Sequence, residues 1–226
     1  ELCTSCGVLF FMIPSAAFLE VTRTFAPFLH PYHLVIHGTK GLAVQLGEGE
    51  QWDSLKKLRR NQILTMSEVI VKETLAVRVG CLAGPNISTE LSDGQPAATV
   101  IASKYNEVIQ EGQRLLRSEK FQVYGNSDII GVELSGVLKN IIAIAAGALA
   151  GLGLGENAKG LLISRGIVEM AHLSKALGGT ASSVMGLAGI GDLVTTCNSP
   201  DSRNFTVGFR LAKGESLSQI MASMEE

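Results

Sequence analysis

Residues Gly131–Asn140 read GVELSGVLKN and run directly into IIAIAAGALAGLGLG, which ends at Gly155, with no proline or turn signal between. Ile129, Ile130, Val132, Leu134, Val137 and Leu138 recur at spacings near three and four, and Ser127 or Asp128 is placed to cap the start, so the stretch is predicted to be one long helix. On that helix Lys139 shares a face with Ser135 and Gly136 before it and with Ala143 and Gly147 after it. Small neighbours leave room beside the ammonium. One reading has Lys139 lay its stem along apolar surface with the charge in water. The other makes it a buried functional cation, which requires further polar residues converging on the same space.

Working outward, the two sides of this helix differ. Upstream, short β-branched or aromatic runs alternate with amphipathic segments: VLFFMIPS, a helix from Ser15 to about Leu29, HLVIHGTKG, a polar stretch from Ala43 to Arg60 leading into a helix that ends near Glu73, VRVGCLAGPN, AATVIAS, a helix from Tyr105 to about Ser118, and FQVYGN. Strands separated by helices predict an α/β layer with a largely parallel sheet. Downstream of Asn126 the segments read as helices: Ile129 to Gly151, Asn157 to Leu177, a short one near Ser182, Arg203 to Lys213, and another from Leu217 onward. The expected division is residues 1–125 and 126–226, with a cleft where the two meet.

The 226 residues are 46% hydrophobic and 18% charged, enough apolar material for a sizeable core. A formal net charge of −2 gives no general attraction to nucleic acid or anionic membrane, so the electrostatics must be local. The longest lysine-free apolar run, Ile141 to Leu154, is shorter than the roughly 20 residues of a membrane helix, and no signal peptide is legible. Cys3 and Cys6 have the spacing of a zinc half-site, but no second pair follows, and His30, His33, His37 and His172 show no ligand spacing, so no metal is expected. The cysteines read as ordinary thiols of a reducing cytoplasm.

Several short motifs carry candidate chemistry. HGTKG sets Lys40 just past a strand's carboxyl end, where open α/β sheets bind ligands, and AGPNIS does the same with Gly84 and Asn86. CNSPDSRN, Cys197 to Asn204, precedes a helix, so Arg203 and Asn204 fall in its first turn; exposed amides and a guanidinium there make a phosphate site, or else a plain N-cap with a solvated arginine. Asp192 in GIGDL either orients a lysine or makes a turn. GLGLG and GLAGIGD do not fit the spacing GxGxxG and read as helix ends and turns; the basic run Lys56, Lys57, Arg59, Arg60 reads as a solvated helix face.

Taken in order, GTKG, AGPN, GVELSGVLKN, GLGLGENAKGLLISRG, GLAGIGDLVTTC and SRNFTVG resemble the soluble bacterial NAD(P)-dependent glycerol-3-phosphate dehydrogenases, from about Val8 to Gly214. The resemblance implies a Rossmann-like dinucleotide-binding domain, truncated here, followed by an all-α substrate domain. It implies reversible reduction of dihydroxyacetone phosphate to sn-glycerol 3-phosphate for phospholipid synthesis, with NAD or NADP, in a cytoplasmic protein that pairs as a homodimer. By the same resemblance Lys139 is the catalytic lysine, and Gly84, Asn86, Asp192, Ser202, Arg203 and Asn204 meet the substrate; Asn140 and Thr196, beside them, are expected to hold its hydroxyls. Lys40 meets both ligands, Arg203 also approaches the cofactor, and Ser88 stands where the family has alanine near it. The chain is expected to be a fragment that lacks the phosphate loop, upstream of Glu1, and the family's C-terminal end with a further cofactor contact, beyond Glu226; the segment around Val44 to Arg60 is extra relative to most members. Two other expectations stand beside this one: a piece that only binds a phosphate ligand or partner chain, and a related lysine-dependent hydroxyacid dehydrogenase.

Overall fold

In the computed structural model the described residues are 2–46 and 59–224. In chain order the elements are α1 (Leu2–Ser5), β1 (Val8–Phe11), α2 (Phe18–Phe25), β2 (Leu34–His37), β3 (Leu42–Val44), β4 (Ile63–Thr65), α3 (Met66–Glu73), β5 (Arg78–Ala83), α4 (Ser88–Ser92), β6 (Ala97–Ser103), α5 (Asn106–Leu116) and β7 (Phe121–Asn126). The helical half holds α6 (Ile129–Gly151), α7 (Glu156–Ala176), α8 (Ala181–Val184), a π turn at Leu187–Gly191, α9 (Asp192–Asn198), α10 (Arg203–Ala212) and α11 (Leu217–Ser223).

The main sheet has the order β1-β2-β5-β6-β7. Alternation with period two assigns side chains to its faces. Leu9, Phe11, Val35 and Val79 pack on α2 and α3, whereas Ile36, Ile101 and Val123 pack on Val108 of α5. Cys81, Ala83, Val100 and Ala102 continue the layer against Ile129 and Val132 of α6 and Ala188 of the π turn. The α/β half is thus covered on both faces, as a mostly parallel sheet requires.

Two antiparallel pairs depart from the expected pattern. The β5–β6 pair is antiparallel, the other three pairs of this sheet being parallel. Its connection, residues 84–96, holds only the five-residue α4. The polar stretch after Lys40 likewise opens with β3, which pairs antiparallel with β4. Most of the extra segment, and Lys56 and Lys57 of the basic run, lie outside the described residues. Arg60 is no solvated helix face: its guanidinium donates to the carbonyls of Leu177 and Ile63, at 2.9 and 2.6 Å, and to Glu68 at 2.7 Å.

Helix α6 is the axis of the second half. Asp128 caps it, accepting from Gly131 N at 2.9 Å and also from Thr180 and Ser183, which ties the start of α6 to α8. Ile142, Ala143 and Ala146 pack with Met170 of α7, Val184 of α8, and Leu193 and Cys197 of α9. Helix α10 lies so close that a Cβ on Gly147 would overlap the carbonyl of Phe205, and one on Gly208 the carbonyl of Ile144. With Lys139 and Glu133 both buried, the continuous helix is long and apolar enough by length and composition to cross a membrane, which the lysine-free run alone concealed. About 61% of its most apolar stretch is nevertheless buried inside this fold.

Candidate functional site

The parallel strands β1 and β2 end on the same side of the sheet, and the chain leaving them enters a cleft of about 520 Å³. Pro14 and Ser15 follow β1, while Gly38, Thr39 and Lys40 follow β2. Thr39 Oγ1 donates to the carbonyl of Ile13 at 2.6 Å and so fastens the two loops together. Close approach restricts their side chains: a Cβ on Gly38 would come within 2.6 Å of Met12 Sδ, and one on Gly41 within 2.8 Å of Ser15 Cβ. The opposite wall comes from the helices, with Lys139 and Asn140 on α6, Asp192 and Thr196 on α9, and Ser202, Arg203 and Asn204 at the head of α10.

At the centre is a charged cluster. Lys139 Nζ donates to Asp192 Oδ1 at 2.5 Å and to Thr196 Oγ1 at 2.6 Å, and Lys40 Nζ donates to Asp192 Oδ2 at 3.0 Å. Thr196 passes its own hydrogen to the carbonyl of Asp192, one turn back on α9, at 2.6 Å. Lys139 and Asp192 are buried, at 5% and 2% exposure, which rules out the solvated-lysine reading. Burial, then repulsion from Lys40, lowers the Lys139 ammonium to about 8, with Asp192 holding it from falling further. Its midpoint therefore lies near neutrality, where an acid–base group is most effective.

The remaining residues form a second, anion-friendly wall. Ser202 Oγ accepts from Phe205 N at 3.3 Å, capping the ten-residue α10. Geometry leaves the first N–H groups of a helix without intrahelical partners, so those of Arg203 and Asn204 are open to an anion beside the exposed Arg203 side chain. Asn204 Nδ2 donates to Asn140 Oδ1 at 2.9 Å, joining α10 to α6. Across the cleft Asn86 Nδ2 donates to Thr99 Oγ1 at 3.0 Å, and its Oδ1 is buried without a partner among the described residues, an acceptor suited to a ligand hydroxyl.

Of the residues singled out in the sequence, Lys40, Asn86, Ser88, Lys139, Asn140, Asp192, Thr196, Ser202, Arg203 and Asn204 all line this one cleft. Gly84 does not. Its φ of 155° and the 3.1 Å from a built Cβ to Thr99 Cα show a glycine that makes the turn carrying Asn86. Residues missed in the sequence include Pro14 and Ser15, although they follow a strand's carboxyl end by the same rule that singled out Lys40, as well as Thr195 and Asp201. Cys197 is packed beside the site, and burial pushes its thiol up to about 11, so it acts as an apolar group. Among the described residues no three His, Cys, Asp or Glu side chains are grouped to hold a metal.

A doubly covered, mostly parallel sheet joined to a helical half, with a buried lysine–aspartate cluster where strand ends meet helices, places the chain in the Rossmann-like α/β class with a helical second part. Comparison with known proteins is specific. The family descriptions NAD-dependent glycerol-3-phosphate dehydrogenase N-terminus and C-terminus match residues 1–109 and 128–226. The chain is 42% identical over 209 residues to a glycerol-3-phosphate dehydrogenase (NAD(P)+) of Teredinibacter turnerae, covering 92% of this chain and 57% of that one. It is 54% identical over 144 residues to that of Gloeobacter violaceus, covering 64% and 47%. The crystal structure of glycerol-3-phosphate dehydrogenase from Coxiella burnetii superposes with a TM-score of 0.84 at 34% identity, over 99% of this chain and 64% of that one. The chain belongs to the NAD-dependent glycerol-3-phosphate dehydrogenase family. It spans about half the length of the curated relatives it matches.

Proposed function

We propose that this cleft serves the reversible reduction of dihydroxyacetone phosphate to sn-glycerol 3-phosphate, with NAD or NADP as cofactor, in support of glycerophospholipid synthesis. The observation that carries the reading is the closed cluster of Lys40, Asp192, Lys139 and Thr196, in which a buried lysine titrates near neutrality.

Reduction at C2 turns a carbonyl into an alkoxide that must be stabilised and protonated. Lys139 does both, and in the reverse direction its neutral amine takes the proton back. Asp192 and Thr196 fix the direction of the ammonium, and Lys40 adds a second positive charge. Asn140, Asn204 and the unpaired Asn86 Oδ1 hold hydroxyls. Arg203 and the amides at the head of α10, behind the Ser202 cap, bind the phosphate and so place C2 against Lys139. The nicotinamide cofactor supplies the hydride when bound. Its holders in this chain would be Lys40, Ser88 and Arg203, and the loops leaving β1 and β2, packed together where Gly38 meets Met12 and Gly41 meets Ser15, lie at strand carboxyl ends, where such a ligand binds in an open α/β sheet. The same reading assigns residues 1–125 to cofactor binding and 126–226 to substrate binding, and makes the protein a cytoplasmic homodimer.

Calorimetric titration of glycerol 3-phosphate into the chain, with NADH and NADPH oxidation by dihydroxyacetone phosphate followed in parallel, tests the proposal. Wild type is expected to bind, and Arg203→Ala to bind about 10- to 100-fold more weakly through loss of charge-assisted bonds to phosphate. A folded chain that neither binds glycerol 3-phosphate nor oxidises either cofactor overturns it.

A further inference from the structure

Two turns before Lys139, α6 buries a second charged side chain that the mechanism above does not use. Glu133, 3% exposed at its side chain, accepts from Ser67 N at 2.9 Å and from Ser67 Oγ at 2.5 Å, both at the start of α3. Its Oε1 also lies 3.0 Å from Nε2 of His37, the last residue of β2, whose ring is 1% exposed and packs edge-on against Phe18. That contact is off the hydrogen-bond axis, and neither ring nitrogen of His37 has a hydrogen-bond partner among the described residues. Burial alone would raise the Glu133 carboxyl, but His37 and the two Ser67 donors offset it and hold it below the ordinary carboxylate range.

One carboxylate thus bonds α6, which carries Lys139, to α3 and lies in contact with β2, whose exit loop carries Lys40 three residues after His37. We infer that Glu133 is a positioning residue, which sets the separation of Lys139 from Lys40 by fixing the first turns of α6 against β2 and α3. The inference rests on the proposed role of Lys139 only for its bearing on catalysis; the geometry itself is independent of substrate.

The titration of Lys139 reports on this clamp directly. The charged and titratable groups around Lys139 are Asp192 and the Cys197 thiol of α9 and Lys40 beyond β2; those around Glu133 are His37 and the Cys81 thiol of β5. If the clamp is released, α6 relaxes, Lys139 gains water and moves from Lys40, and its midpoint rises. If Glu133 instead acts only as a distant negative charge, deleting it favours the neutral amine and the midpoint falls. The two roles have opposite signs.

The experiment is ¹³C NMR of the lysine ε-carbons of this chain across pH, without ligand, the Lys139 signal being assigned from Lys139→Met. Glu133→Ala is expected to raise the Lys139 midpoint by about one pH unit. Glu133→Gln keeps acceptor oxygen for Ser67 and is expected to restore a near wild-type midpoint, while Ser67→Ala, which leaves the charge in place, shifts it upward by a smaller amount. If Glu133→Ala does not fold, the Gln and Ser67→Ala variants decide alone. A fall in the midpoint with Gln, or no movement in any folded variant, overturns the inference. Because no substrate enters, failure of dihydroxyacetone phosphate turnover in wild type would remove the functional proposal and leave this result standing.

Discussion

Asp192→Asn isolates what the carboxylate does for Lys139. The substitution keeps shape and one acceptor, yet removes the negative charge that faces Lys139 Nζ at 2.5 Å and Lys40 Nζ at 3.0 Å. Asp192 is the main group opposing burial and Lys40 repulsion, which together have already brought Lys139 down to about 8. An opposite charge in contact is worth one to three units, so its loss lowers the midpoint by about 2 further. At pH 7 the protonated fraction of Lys139 then falls from about nine-tenths to about one-tenth, a tenfold loss of proton donor before any loss of orientation. The lysine ε-carbon titration reads the midpoint directly, and the pH profile of dihydroxyacetone phosphate reduction reads its consequence. The profile of the variant is expected to fall away at lower pH than that of wild type. A Lys139 midpoint that stays in place, or rises, in Asp192→Asn refutes the account of how this site is tuned.

Two further outcomes concern the frame that holds the cleft. Gly208→Ala forces a Cβ into the Ile144 carbonyl of the crossing helix and must push α10 from α6, so urea unfolding is expected to show a loss of about 2 kcal/mol or more; a loss below about 0.5 kcal/mol would mean that the helices are not in backbone contact. Asp128 has its carboxyl lowered from 3.8: burial works against this, but donors from Thr180, Gly131 and Ser183 outweigh it. Its contribution is therefore present above the unfolded value and lost as pH falls through the lower folded one, and Asp128→Asn is expected to cost about 2 kcal/mol near neutrality and to flatten the decline of stability below about pH 4. An unchanged acid limb in the variant would assign that decline to other carboxylates.

Much of this architecture is legible because burial leaves a periodic mark. The strands VLFF and LVIH and the helix after Asn126 stand out through spacing alone, and Lys40 stands out because it follows a strand end. Pairing direction is harder to see, since β5 and β6 each read as a buried strand. The chain between them, residues 84–96, is long enough for either direction and holds only the short α4, so spacing alone does not reveal that the pair is antiparallel. Glu133 left no signal for a different reason. A single carboxylate within a helical pattern looks like any solvated position, and its partners Ser67 and His37 are 66 and 96 residues away in the chain. Arg60 leaves no signal for the same reason, because the Leu177 carbonyl that binds it lies at the distant end of α7.

The placement of charge explains why a lysine stands in so apolar a helix. Among the described residues three cations, Lys40, Lys139 and Arg203, and two carboxylates, Asp192 and Asp201, line the cleft, an excess of one positive charge in a chain whose formal net charge is −2. A phosphate ester drawn to that excess is expected to bring negative charge close to Lys139 and to displace water from it. The first effect favours the ammonium and the second opposes it. With the free midpoint already near 8, a small surplus of the first is sufficient to keep the proton in place at neutral pH. Asp192 and Thr196 then need only hold the ammonium's direction, and they do so from one turn of α9, braced against the same α6 that Glu133 fastens to the sheet.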